Sequence, residues 1–142
     1  MNWQTYLSQA GYRLSEPRKR VMSLMEATQK PLSPMDVHAE LTRQQTGVGL
    51  VSVYRSLDLL TRLGLVTTIV LEDGTLGYIA AAHGHHHHIL CQGCQRAIEF
   101  EGSEDLSGLI QRVEKDTRFK VSDHFLQLFG ICPDCQSKEQ HS

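Results

Sequence analysis

The architecture is read most directly from LVSVYRSLDLLTRLGLVTTIVLEDGTLGYIA, residues 50–80. Leu50, Val53, Tyr54, Leu57, Leu60 and Leu63 recur at helical spacing and mark out the buried face of a helix, which Gly64 ends. Residues 65–71 are strand-like, Glu72-Asp73-Gly74-Thr75 is a turn, and residues 76–80 return as a second strand. Upstream, residues 2–10 form a short helix closed by Gly11, and Ser15-Glu16-Pro17 is a helix entry with Ser15 as its N-cap. Val21, Leu24 and Met25 give that helix its apolar face, and Lys30-Pro31 closes it. Ser33-Pro34 starts another helix, whose apolar positions are Met35, Val37 and Leu41. Helices followed by a hairpin are the order of a winged helix-turn-helix, in which the last helix enters the major groove and the hairpin lies beside the backbone.

Downstream, Ala82-His83-Gly84 reads as a hinge, which sets the domain boundaries at 1–82 and 83–142. Residues 86–90 and 97–101 read as strands on either side of a C-x-x-C. Ser103, with Glu104 and Asp105 in the first turn, opens a helix to about Thr117, and residues 120–131 alternate enough for one long strand. The fold class is therefore α+β, a winged-helix domain followed by a smaller α/β domain. About 60 residues make a small core, so a metal staple or dimerisation is expected to support the second half.

Composition places the 142-residue chain among globular proteins, with 40% hydrophobic and 21% charged residues. No apolar run approaches the ~20 residues of a membrane span, and no secretory pattern opens the chain, so a cytoplasmic setting is expected. The net charge of −2 averages unlike halves. Residues 1–82 hold 8 basic and 7 acidic side chains (+1), and residues 83–142 hold 6 and 9 (−3). Arg13, Arg18, Lys19 and Arg20 against Glu16 give the first twenty residues +3, where a DNA backbone contact is wanted.

The cysteines form two C-x-x-C pairs, Cys91 with Cys94 and Cys132 with Cys135. In a reducing compartment such pairs read as a tetrahedral structural zinc site. Cys132-Pro133-Asp134-Cys135 also resembles a redox motif, a reading that leaves the first pair unexplained. Five histidines crowd residues 83–88. In a strand, His86 and His88 point to one side and His85 and His87 to the other, so each face offers half a metal site. Glu99 is a hard ligand for one face and His124 for the other, in mixed sites suited to Zn, Fe, Ni or Co. His38 and His141 read as solvated polar residues.

A zinc enzyme and a metal buffer are the rival classes. A nucleobase deaminase needs H-x-E with P-C-x-x-C, and many zinc proteases H-E-x-x-H; the chain has neither set. A buffer explains the histidines but not the helix-turn-helix half. No enzyme activity and no small-molecule substrate are expected.

Together these motifs resemble the ferric uptake regulator family of metal-responsive repressors. The marks are Gly11-Tyr12-Arg13-Leu14 with Pro17-Arg18, then Val51-Ser52-Val53-Tyr54-Arg55, then His85-His86-His87-His88-Ile89-Leu90-Cys91 through Cys94 to Glu99. His124 and Gly130-Ile131-Cys132-Pro133-Asp134-Cys135 complete the set. The resemblance implies a DNA-binding winged helix, a C-terminal dimerisation domain, and operator binding as a homodimer when metal is bound. It implies structural zinc on Cys91, Cys94, Cys132 and Cys135, and a sensing site on His86, His88 and Glu99. A further site falls on His85, His87 and His124, and DNA contacts fall on Arg13, Arg18, Ser52, Tyr54 and Arg55. Pro31 stands where iron- and peroxide-sensing members usually carry a histidine, Ile79 to Ala82 offer no ligand, and Ser107 replaces a helical Glu. His83 is the candidate to complete the sensing site, ahead of Asp73 or Glu72. The pattern is closer to zinc uptake regulators, so zinc is favoured as regulatory metal over Fe2+.

Overall fold

The computed structural model describes residues 2–81, 86–101 and 106–139, and the side chains of all of these except His86 and Glu139. The chain divides into two compact units, Met1–Ala82 and His83–Ser142. Four helices open the first: α1 (Trp3–Gln9), α2 (Glu16–Ala27), α3 (Pro34–Arg43) and α4 (Leu50–Arg62). Ser15 caps α2, its hydroxyl accepting from the Arg18 amide, and Pro17 sits in the first turn. Ser33 and Asp36 exchange hydrogen bonds of 3.1 Å in a full capping box at the start of α3.

Strands β1 (Val66–Val70) and β2 (Leu76–Ala80) then pair antiparallel, Val66 opposite Ala80 and Val70 opposite Leu76. Leu32, between α2 and α3, adds a third short rung by exchanging backbone hydrogen bonds of 2.9 and 2.7 Å with Tyr78. Pro31 is buried beside it, and a Cβ on Gly77 would lie only 2.9 Å from the Pro31 Cβ. The proline is a packing residue that brings the α2–α3 connection onto the wing.

One core serves this unit, built from Leu7, Val21, Met25, Val37, Leu41, Val53, Leu57, Leu60 and their neighbours, all nearly solvent-free. Two side chains placed on buried faces by sequence spacing are on the surface. Met35 is 57% exposed and Tyr54 50%. Val37 and Leu41 define the inner face of α3, and Met35, two residues from Val37, lies about 200° away round the helix. On α4 the stripe Val53, Ser56, Leu57 and Leu60 turns Tyr54 outward, and Leu59 is buried where spacing had not placed it.

The second unit holds a three-stranded sheet in the order β4-β3-β5, with β3 (His86–Cys91) central. β4 (Ala97–Glu101) pairs antiparallel with β3, and β5 (Gln127–Gly130) pairs with it in parallel. The long strand expected over 120–131 is thus only four residues of ladder. Apolar alternation reports which side chains face a neighbour, whereas a ladder needs a partner strand, and pairing with β3 begins only at His88 opposite Gln127.

Helix α5 (Ser107–Thr117) buries none of its residues. Its expected cap, Ser103 with Glu104 and Asp105, lies outside the described residues, as does the expected hinge at Ala82-His83-Gly84. A last helix, α6 (Pro133–Glu139), begins directly after Cys132, contains Cys135 and was not foreseen. Pro133 at its first position and Asp134 in its first turn are the local signals for it. No helix among the described residues is long and apolar enough to cross a membrane.

Candidate functional site

The two cysteine pairs lie on two turns that the sheet brings side by side. Cys91 ends β3, Cys94 follows in a tight turn, and after β5 Cys132 immediately precedes α6 while Cys135 sits in its first turn. All four Sγ atoms lie within 4.8 Å of one another. Cys91 and Cys135 are 3.7 Å apart at sulfur, and Cys94 and Cys132 3.8 Å. A disulfide needs about 2.05 Å. Sulfurs held about 2.3 Å from a tetrahedral zinc ion sit about 3.8 Å from one another, so the residues present fit that ion.

Backbone dipoles prepare the cluster for thiolates. The amides of Cys94 and Cys132 donate to Cys91 Sγ at 3.5 and 3.3 Å, with that of Gly93 at 3.4 Å, and hold its pKa down to about 6. Cys132 is lowered too, chiefly by the Cys135 amide. Cys135 is pushed up to about 12 by the Cys132 and Cys91 side chains beside it. Four thiolates cannot share this volume unless a cation neutralises them. Gly93 is a member of the site that sequence reasoning missed. A Cβ there would lie 2.8 Å from Cys135 Sγ, and a glycine directly before the second cysteine was the available signal. Arg96 faces Asp134 at 3.8 Å and ties the two turns together.

The sheet distributes the remaining candidates over two faces. His88 and Glu99 are directly opposite across the β3–β4 ladder, and His88 Nε2 lies 3.3 Å from a Glu99 carboxylate oxygen. On the other face His87 has its ring centroid 5.5 Å from that of His124 and 5.8 Å from that of Phe100. His87 and His88 are 6% and 7% exposed, and the Nε2 atoms of His87, His88 and His124 are shielded from solvent. Strand alternation left open which face Glu99 and His124 join; the β3–β4 register sets Glu99 beside His88, and His124, outside the ladder, lies beside His87. His83, His85 and the side chain of His86 lie outside the described residues. Ser107 is exposed at the first turn of α5.

In the first unit the turns at the starts of α2 and α4 border a cleft of about 290 Å3, lined by Arg13, Arg18, Ser52 and Arg55 among others. Arg18 Nη1 donates to the Arg13 carbonyl at 2.7 Å and holds the segment before α2 in place. Tyr54 projects from the exposed face of α4, outside the cleft lining. Ser15, read from the sequence only as an N-cap, and Ser56, which sequence reasoning did not single out, also line the cleft. A serine within the leucine-rich inner stripe of α4 was the only hint of Ser56.

Residues 9–129 match the sequence model of the ferric uptake regulator family. The ferric uptake regulation protein of Bacillus subtilis (strain 168) is 37% identical over 139 residues, spanning 94% of this chain and 91% of that one. Among solved structures, the ferric uptake regulator of Francisella tularensis with iron is 28% identical, with a TM-score of 0.65 over 89% of this chain and 96% of that one. A zinc uptake regulator complexed with zinc and DNA gives a TM-score of 0.77 over 96% of this chain and 92% of that one. At 21% identity that last likeness is one of fold.

Proposed function

The chain belongs to the ferric uptake regulator family, a family of metal-responsive transcription regulators and not of enzymes, and from that premise we propose that it is a zinc-responsive repressor. It binds palindromic operator DNA as a homodimer when its sensing site is loaded. Units 1–82 and 83–142 take the DNA-binding and the dimerisation and metal-binding roles. The observation that carries the reading is the division of donors in the second unit. A closed four-sulfur cluster sits apart in composition from a histidine–carboxylate pair, His88 with Glu99, on one face of the sheet. Sulfur sites bind zinc tightly and for structure, while mixed nitrogen and oxygen sites exchange their ion and suit sensing.

Cys91, Cys94, Cys132 and Cys135 would hold the structural zinc, which supplies a cross-link between the two turns. His86, His88 and Glu99, with His83, would hold the regulatory ion, and His85, His87 and His124 a further one. A bound regulatory ion supplies the free-energy difference between dimers that fit the operator and dimers that do not. A full switch from 1:99 to 99:1 requires about 5.5 kcal/mol. Arg13, Arg18, Ser52 and Arg55 meet the backbone, and Tyr54 is free to reach base edges.

Exposed apolar side chains on the second unit support the homodimer: Ile98, Leu109, Val113 and Leu128 are each 40% or more exposed. Zinc is supported by Pro31, which is buried in packing at the position where the family resemblance places a histidine in most iron- and peroxide-sensing members. Iron is the second reading, favoured by the 37% identity to a ferric uptake regulation protein. Operator binding measured at buffered free Zn, Fe, Mn and Ni decides between them. Activation by zinc at the lowest free concentration is the expected result, and activation by Fe2+ alone would overturn the zinc assignment.

A further inference from the structure

The β3–β4 ladder brings a second carboxylate to the face that carries His88 and Glu99. The two strands pair antiparallel, with His88 opposite Glu99 and His86 opposite Glu101. Residues two apart in a strand occupy the same face, so these four positions form a square of two histidines and two glutamates. Directly opposite residues have Cβ atoms about 4.5–5.5 Å apart, and diagonal neighbours lie about 7–8 Å apart. Across such a square, side chains of this length can converge on one ion at about 2.0–2.2 Å. One side of the square is already closed: His88, 7% exposed, places its Nε2 3.3 Å from a Glu99 carboxylate oxygen. Ile98 and Phe100 alternate with the glutamates along β4, so the strand separates an apolar face from a carboxylate face. Glu99 and Glu101 repel one another on that face unless a cation joins them.

The first unit has little to offer a regulatory ion. It holds one histidine, His38, and no cysteine. Glu16 faces Lys19 and Arg20, Asp36 accepts from the Ser33 amide, and Glu40 binds Arg43. Asp58 pairs with Arg62, and Asp73 accepts from Thr75. Pro31 is buried in packing, and Ile79-Ala80-Ala81-Ala82 contain no donor side chain. We propose that Glu101 is a further ligand of the regulatory ion, in a site that takes its donors from the second unit. This assignment rests on the sensing-site reading above. It adds a residue that neither the histidine spacing nor the family resemblance singled out. Two carboxylates and neutral imidazoles balance the charge of a divalent cation, whereas Glu99 alone leaves the loaded site positive. A mixed nitrogen and oxygen set of this kind suits Zn2+. Because β4 is an edge of the sheet, an ion held in the square fastens that edge to the central strand β3.

The test uses the full chain with zinc retained at the four cysteines. Competition with a chromophoric chelator measures the affinity for a second Zn2+, and Co2+ bound in its place gives a visible spectrum that reports the donor set. Glu101→Gln is expected to weaken the second Zn2+ by roughly 10–100-fold and to shift the Co2+ bands, with cysteine-bound zinc and circular dichroism unchanged. His88→Ala should remove the second ion. Wild-type affinity in Glu101→Gln, with the ion still lost in His88→Ala, would overturn the role of Glu101 and leave the sensing site standing. Weaker binding with an unchanged Co2+ spectrum would also overturn it, because the carboxylate would then act only as a nearby charge. A loss in Glu72→Gln or Asp73→Asn that Glu101→Gln does not share would move the donor to the first unit and overturn the assignment. Full retention of the second ion in both Glu101→Gln and His88→Ala would overturn the sensing-site reading as well.

Discussion

Gly93 has no side chain, and that absence lets Cys135 complete the sulfur cluster. An added Cβ would stand 2.8 Å from Cys135 Sγ and 3.2 Å from its Cβ, inside van der Waals contact. Gly93→Ala is therefore expected to displace Cys135 and weaken zinc retention by roughly 10–100-fold, the range found when groups supporting metal ligands are altered. Competition with a chromophoric chelator measures it, and unchanged zinc affinity would mean that the turn relaxes freely. The gathering of the four cysteines was legible in the sequence, because two C-x-x-C pairs have few other uses. The support around the ligands was not. Ser56 reads as one more small residue in a buried stripe, and only its place at the cleft shows what it faces. Tyr54 misled for the opposite reason. An aromatic residue at helical spacing is usually core, and here Val53 and Leu57 fill that face and leave the ring half exposed.

Between elements, the wing and the helices are joined at Pro31 and Gly77. Leu32 bridges to Tyr78, and the Pro31 ring packs where a Cβ on Gly77 would sit. Gly77→Ala should destabilise the first unit by about 1–3 kcal/mol, the usual cost of overpacking, read by chemical denaturation. Stability equal to wild type would show that the α2–α3 connection moves aside cheaply. The helices and hairpin of this unit were readable because caps, apolar period and turn residues agree at each boundary. Residues 120–131 fell short of that standard. Their alternation is real, but hydrogen-bonded pairing is not a property of one segment, and only Gln127–Gly130 finds a partner in β3. Helix α6 was missed because the cysteines at its start drew attention as ligands and not as helix-entry residues.

The whole molecule is unevenly stabilised. Every member of the apolar core cluster belongs to the first unit. The buried apolar residues described in the second are Leu90, Cys91 and Cys132. Such a unit depends on its sulfur cluster and on a partner surface for Leu109, Val113, Ile98 and Leu128. Stripping zinc from the cysteines, or Cys91→Ser, should abolish amide protection in residues 86–139 while the helices of residues 2–81 keep theirs. Hydrogen exchange reads both at once, and full protection after zinc removal would deny the cluster a structural role. His88→Ala should instead leave protection and zinc content at the cysteines intact and remove only the response to added metal. The direct test of metal-gated repression is operator affinity measured with and without regulatory zinc, while the zinc at the four cysteines is retained. The expected result is binding tighter by roughly 5–150-fold with zinc. Equal affinity in both conditions would contradict it.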